Sequence, residues 1–255
     1  MDSIDPSRVT AQLVGFITSS FKHDGYSDGL IGVSGGVDSA VSLSLTVCAI
    51  GAAHIHPVLL PYGRLNTEET KDAQMIIESL HIPLNNIHLV NIQPMVDAIV
   101  AYDTHMDDGR RGNIMARTRM MIMFDLSKKM NMLVVGTENR TEYLLGYYTR
   151  FGDEASDIEP LKHLYKAHVY MLAHYLKIPE KICIKPPTAG LWSGQTDERE
   201  FGFRYKDVDE VLFLHFEKHV PKEEIVRRGY DMSMIERIWW WISKGAFKDR
   251  MPLVL

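Results

Sequence analysis

The chain is poor in cysteine: Cys48 and Cys183 are the only two in 255 residues. Two cannot build a disulfide framework, and neither stands at metal-ligand spacing from another. The 11 histidines contain no HExxH or paired spacing, so no zinc site is expected. Long apolar runs are missing as well, since no stretch reaches the ~18 residues a membrane span needs. The start, Met1-Asp2-Ser3-Ile4-Asp5-Pro6, lacks the positive and apolar regions of a signal peptide. A cytoplasmic protein with no membrane partner is the expectation. Positive charge is also scarce: 28 Lys+Arg stand against 33 Asp+Glu, a formal net charge of −5. Nucleic-acid binding normally needs a basic face, so no nucleic-acid partner is expected. An anionic ligand would have to be met by local cations.

What remains is ordinary globular composition, 45% apolar and 24% charged. The length suits one α/β domain, and no repeat or linker divides residues 1–255. Four short apolar runs alternate with helix-like segments, the rhythm of a parallel sheet. They are Leu30–Val33, His56–Leu60, Ile87–Ile92 and Met132–Gly136, with pairing of the second expected to begin after Pro57. Helices are expected over Ser39–Ile50, Thr67–Leu80, Asn113–Met130, Lys166–Leu176, Asp207–His219, Lys222–Arg228 and Met232–Lys244. Thr67 is the candidate N-cap of the second, with Glu68 and Glu69 in its first turn. From Pro179 to Gly202 the chain is rich in Pro, Gly, Ser and Thr and reads as a long loop or lid. The fold class is therefore α/β, an open parallel sheet with helices on both faces, Rossmann-like. In such sheets ligands bind beyond the carboxyl ends of the strands, where the strand order switches. Three loops qualify: Ser34–Ser39, Pro61–Asn66 and Thr137–Glu142.

The first of these is the most informative. Gly35 and Gly36 let the backbone turn tightly, and the helix start that follows, with Ser34 and Ser39, forms an anion cradle. Asp38 beside phosphates would be repulsive without a cation between them, which points to Mg²⁺. A P-loop is excluded because no lysine follows the glycines, and GxGxxG also fails. Gly32-Val33-Ser34-Gly35-Gly36 fits the GxSxG elbow of α/β-hydrolases, but that elbow needs an oxyanion loop from an earlier strand. A plain Gly/Ser turn with a helix-capping Asp is the bland competitor.

The string Ser34-Gly35-Gly36-Val37-Asp38-Ser39 matches the SGGxDS signature of the N-type ATP pyrophosphatases. Further blocks narrow the resemblance: Gly112-Asn113-Ile114-Met115-Ala116-Arg117-Thr118-Arg119-Met120, Gly136–Glu142, Gly146–Asp153 with Asp157, Pro160-Leu161, Lys166 and Pro187–Trp192. In this order they resemble the ammonia-dependent NAD synthetase family, from about residue 30 to the C-terminus. The resemblance implies the adenine nucleotide alpha hydrolase (HUP-type) fold. It also implies ATP held by Gly32, Val33, Ser34, Gly35, Gly36, Val37, Asp38, Ser39, Thr137, Lys166 and Thr188, with Mg²⁺ on Asp38 and Glu142. Arg117, Arg150, Asp157, Phe247 and Lys248 would bind deamido-NAD. Phe247 stands where many relatives have His, and Arg150 where lysine is common; the second exchange alters geometry.

The implied chemistry is amidation through an acyl-adenylate, with Asp38 and Lys166 in catalysis and Asp153 as the candidate base for ammonium. Glutamine-using relatives carry an extra amidohydrolase domain with a nucleophilic cysteine. Neither Met1-Asp2 nor the setting of Cys48 and Cys183 offers one, so free ammonia is expected unless a separate glutaminase docks. The family resemblance implies a homodimer with the substrate site at the interface. Nicotinate mononucleotide as the acid, or a nonenzymatic HUP-type nucleotide-binding module, are the alternatives. Without the family match, Glu142 has a lesser reading as a solvated helix charge, and Arg117 and Arg119 read as partners of Asp107 and Asp108 or as a solvated helix face. Met115, Met120, Met121 and Met123 read as filler, and Trp239-Trp240-Trp241 cannot all be buried. Asp107–Gly112 and Gly190–Phe203 are expected to be mobile without ligand.

Overall fold

The computed structural model describes residues 1–250 and Val254. Its order is α1 (Pro6–Asp24), β1 (Gly29–Gly32), α2 (Val37–Ile50), β2 (Ile55–Leu59), α3 (Thr67–Ser79), β3 (His88–Leu89), α4 (Gln93–Val100), α5 (Asp108–Met130) and β4 (Leu133–Val135). Then follow α6 (Arg140–Leu145), α7 (Lys166–Tyr175), α8 (Glu180–Cys183), α9 (Asp197–Phe201), α10 (Tyr205–Leu212), α11 (Lys222–Arg227) and α12 (Met232–Gly245). The expected four-stranded parallel sheet forms in the order β3-β2-β1-β4. The order switches between β1 and β4, so the loops leaving these two strands diverge and leave a crevice.

Period-2 alternation assigns the faces. Ile31, Val33, Ile55, Leu59, Leu133 and Val135 join one core with residues of α1, α2, α3 and α7. Their neighbours Leu30, Val58 and Val134 face the other way, against Met123 of α5. Each such buried aliphatic side chain contributes about 1.5–3 kcal/mol. A separate aromatic cluster, including Phe201, Tyr205, Val211, Ile238 and Trp241, joins α6 to α9–α12.

Several elements differ from expectation, each for a local reason. Pro57 lies inside β2, opposite Ile31. The Val58 carbonyl accepts from Val33 N–H, whereas the Leu59 carbonyl accepts from Val90 N–H on the other side. By alternation the missing Pro57 N–H faces β3, whose pairing starts only at Val58–His88, so no ladder bond is lost. β3 is shorter than the expected run, and Leu89 lies 60% exposed on this edge; the chain still tracks β2 through Ile92 N–H to Pro61 O. α1 escaped the reading despite Asp5 as N-cap, Pro6 at its first turn and Gly25 at φ 76 behind it. Its Leu13, Ile17 and Phe21 form one buried stripe. α4 was missed as well. α5 starts five residues before the expected Asn113, because Asp107 Oδ1 caps Arg110 N–H at 2.8 Å. Of the two segments expected to be mobile, Asp107–Gly112 is thus helix from Asp108 onward. Asn66, not Thr67, precedes α3. Beyond α10 the helix ends in a π turn, Phe213–Glu217.

Candidate active site

A cavity of about 690 Å³ opens at the carboxyl ends of the strands, lined by the loops after β1, β2 and β4 and by α5, α7 and residues 186–192. Its size falls in the range of small-molecule sites.

The loop after β1 is shaped by its glycines. Gly35 sits at φ 80, and a Cβ there would collide with the Glu69 carbonyl of α3. The Ser39 hydroxyl folds back to the Gly36 carbonyl at 2.9 Å, and Ser34 Oγ accepts from Gly36 N–H at 3.3 Å. No side chain caps the first turn of α2, so its N–H groups face the cavity as anion donors. Asp38 sits in that turn.

Asp38 belongs to a charged cluster drawn from three elements. Lys166 Nζ, at the first position of α7, donates to Asp38 Oδ2 at 2.5 Å and to Glu142 Oε1 at 3.1 Å. Lys166 is only 2% exposed. Burial works against its charge, but the two carboxylates outweigh this and hold its pKa well above the usual lysine value. Burial pushes the Glu142 carboxyl up, with the Asp38 charge adding to the effect, while Lys166 opposes it. Asn139 ties the pair together. Its Nδ2 donates to Asp38 Oδ1 at 2.9 Å, and its Oδ1 accepts Glu142 N–H, forming a capping box at the start of α6. Glu142 is therefore no solvated helix charge.

α7 is aimed by residues that sequence reasoning missed. Asp209 of α10 accepts Ala167 N–H at 2.8 Å and the Thr141 hydroxyl at 2.6 Å, while Thr141 Oγ1 accepts Lys166 N–H at 3.0 Å. Burial pushes Asp209 up to about 6. The Asn139-x-x-Glu142 pattern was a legible cap signal. Asp209 comes from far along the chain, and no local pattern announces it.

Gly32 to Ser39, Thr137, Glu142, Asp153, Lys166, Thr188, Phe247 and Lys248 all line the cavity. Asp153 Oδ1 accepts Thr149 N–H at 2.9 Å, and Thr188 Oγ1 accepts Gly190 N–H at 3.1 Å. Lys248 Nζ is held by the Gly146 and Tyr148 carbonyls at 2.6 and 2.5 Å. Arg117, Arg150 and Asp157 lie off the cavity wall. Arg117 donates to the Arg150 carbonyl at 3.2 and 3.3 Å, not to Asp107 or Asp108. Arg150 donates to the Arg250 carbonyl at 2.5 Å. Asp157 accepts Val134 N–H at 2.7 Å, covering the outer edge of β4. Arg119, left open as an ion-pair partner, instead reaches the cavity wall. Met120 and Met123 line the cavity too, whereas Met121 is exposed. Trp241 is buried and Trp240 exposed, as the helix period requires.

The residues 188–195 fold over the cavity. Asn66 Nδ2 donates to the Gly190 carbonyl, Gln195 Oε1 accepts Leu191 N–H, and Leu191 packs on Gly112.

The chain is similar to known proteins over nearly its whole length. The chain is 39% identical to the NH(3)-dependent NAD(+) synthetase of Fusobacterium nucleatum over 95% of its own length and 93% of that protein. It is 37% identical to that of Thermococcus kodakarensis over 99% and 98%. The NMN synthetase structure from Francisella tularensis superposes with TM-score 0.87 at 33% identity, covering 99% of both chains. The NH3-dependent NAD synthetase of Campylobacter jejuni, in complex with the nitrate ion, gives 0.83 at 29% identity, covering 99% of this chain and 100% of that one. The family model described as NAD synthase matches residues 9–252, so this chain belongs to the NAD synthase family.

Proposed function

We propose that this protein is a ligase that amidates deamido-NAD with ammonia at the expense of ATP, giving NAD, AMP and pyrophosphate. The observation that carries the reading is the cluster at the head of α2: an anion-binding helix start with Lys166 between Asp38 and Glu142.

A carboxylate cannot expel oxide, so it must first be given a better leaving group. Its oxygen attacks the α-phosphorus of ATP, the bond to pyrophosphate breaks, and an acyl-adenylate forms. The acid is already ionised near pH 7, so this step needs cations rather than a base. Residues 32–39 hold the phosphates through backbone N–H groups, with Thr137 and Thr188 at the walls. Lys166 stabilises the developing charge. Asp38 and Glu142 would hold Mg²⁺, which neutralises phosphate charge when bound. One or two carboxylates are enough for it, because Mg²⁺ takes its remaining ligands from water and phosphate. The acidic pair also gains from a second cation, because burial already disfavours the Glu142 charge. Ammonia nitrogen then attacks the acyl carbon and AMP leaves with one carboxylate oxygen. Asp153, on the cavity wall, takes the proton that ammonium must lose.

Arg117, Arg150 and Asp157 contact deamido-NAD from outside the cavity, with Phe247 and Lys248 on its wall. Their exposed or peripheral setting supports a homodimer with the substrate site shared between copies. Residues 1–255 act as one catalytic unit, and the match over 9–252 supports this. Among the described residues no helix is long and apolar enough to cross a membrane, which accords with a cytoplasmic site of action.

A second reading has its own support. The Francisella tularensis NMN synthetase is similar over the whole chain, so nicotinate mononucleotide is the competing acid. Turnover of the two acids side by side, with ATP, Mg²⁺ and ammonium, decides: faster amide formation from deamido-NAD is expected, and a mononucleotide preference overturns the substrate assignment. Pyrophosphate release that needs neither acid would instead mark a module without this ligase activity. Glutamine in place of ammonium is expected to give no product.

A further inference from the structure

We propose that Arg119 is an anion-binding residue of the cavity, its guanidinium receiving the oxygens of a carboxylate or phosphate of a bound substrate. The inference rests on the cavity being the reaction site proposed above. Four observations converge on it.

Arg119 lies on α5 and lines the cavity. Its Nε donates to the Leu60 carbonyl at 3.1 Å and its Nη2 to Asn66 Oδ1 at 3.4 Å. These contacts orient the planar fork without neutralising it, and a guanidinium carries five N–H donors. The remaining donors have no protein acceptor among the described residues.

Its charge is only partly met. Of the lysines on the cavity wall, Lys166 pairs with Asp38 and Glu142 and Lys185 with Asp72 and Glu69, whereas Lys248 rests on backbone carbonyls. Arg119 forms no ion pair among the described residues, and burial lowers its pKa to about 10, with the Asp153 charge opposing the shift. It therefore stays protonated at neutral pH, as a partly desolvated cation facing an open volume. An arginine in that position is suited to bidentate recognition of carboxylate or phosphate.

Finally, the residue is wired to the segment that covers the cavity. Asn66 accepts from Arg119 and from Tyr62 N–H and donates to the Gly190 carbonyl at 3.0 Å. The fork is thus linked to residues 188–195 through two hydrogen bonds that share Asn66.

The two sources of the anion separate by direct binding. Calorimetry on Arg119→Gln and Arg119→Lys measures Mg–ATP alone, then deamido-NAD and nicotinate mononucleotide alone, then their carboxamide counterparts. A lost charge-assisted contact is expected to weaken one ligand class about 10- to 100-fold. If the fork holds the reacting carboxylate, the acids weaken to the level of their amides and Mg–ATP is unchanged. If it holds a phosphate of ATP, Mg–ATP weakens and the acid-to-amide ratio is unchanged. Arg119→Lys keeps the charge but not the fork, and it decides the matter if Arg119→Gln does not fold. Binding of all ligands within twofold of wild type, in a folded variant of unchanged Tm, overturns the proposal. Wild-type turnover with ammonium is measured in parallel: its absence would overturn the reaction proposed above while leaving the binding result to stand or fall alone.

Discussion

The two walls of the cavity handle charge in opposite ways. On the β1–β4 side, the Lys166 charge is met by Asp38 at 2.5 Å and Glu142 at 3.1 Å, and Asn139 fixes their spacing. On the side of α5 and the C-terminal segment, the cations rest on backbone carbonyls: Arg119 on Leu60 and Lys248 on Gly146 and Tyr148, with Arg117 on Arg150 and Arg150 on Arg250 outside the cavity. A carbonyl orients a cation while leaving its charge uncancelled. The first wall meets its ligand through the helix start and through a lysine already positioned by two acids. The second keeps its charge in reserve for the ligand.

That contrast breaks most readily at Lys166. Lys166→Met leaves two carboxylates buried together without their cation, so a loss of about 3–5 kcal/mol is expected, read by urea denaturation. Pyrophosphate release falls by about 10²–10³ at least. A variant that kept both near wild type would show the cluster to be incidental. Lys248→Met on the other wall removes no ion pair and is expected to be far milder in stability, with its effect confined to substrate KM.

Next in size is the glycine contact that seats the second wall. Gly146 and Gly245 approach so closely that a Cβ on either meets backbone of the other, and Gly146 is at φ 65. Gly245→Ala is expected to lift the C-terminal segment, freeing Lys248 from its carbonyls at a cost of about 1–3 kcal/mol. Deuterium exchange at residues 146–150 reads the release, and unchanged protection there would count against the seat.

How much of this could be read from the chain follows the same division. The sheet, the phosphate loop and Lys166 at a helix start were legible because apolar runs, glycines and serines act locally. Asp209 and the Asn66–Arg119 link were not, since each pairs groups far apart in sequence. Pro57 misled because a proline's cost depends on which neighbour its missing N–H faces, which only the ladder reveals. α1 was overlooked although its cap, proline and closing glycine were all in plain view. The backbone anchoring of Arg117 and Arg150 leaves no residue pattern at all.

A pH-dependent effect belongs to two acids in and behind the loop after β4. Burial pushes Glu138 up to about 8 and Glu159 up to about 7, against the Lys162 charge in both cases. A carboxyl with a raised folded pKa binds its proton more tightly when native. Its favourable contribution is complete below the unfolded value of 4.5 and is lost as pH rises toward 8. Stability is expected to decline across that window by up to about 1.4 kcal/mol per unit per group. Glu138→Gln flattens the slope in denaturation measured from pH 5 to 8, and an unaltered slope would contradict the assignment.

The smallest expected effect is at the surface. Lys71 and Glu68 pair at 2.6 Å on the exposed face of α3, both more than half exposed. Glu68→Gln is expected to change stability by less than about 0.5 kcal/mol, and a larger loss would show that exposed pairs here behave like the buried cluster.

The central claim is that the acid is activated at the α-phosphorus of ATP. Substrate carrying ¹⁸O in its pyridine carboxylate tests it in one mass spectrum, taken after turnover with ATP, Mg²⁺ and ammonium. One labelled oxygen in AMP, with none in the pyrophosphate, is the predicted result. Label in inorganic phosphate, or AMP formed without label, would contradict it.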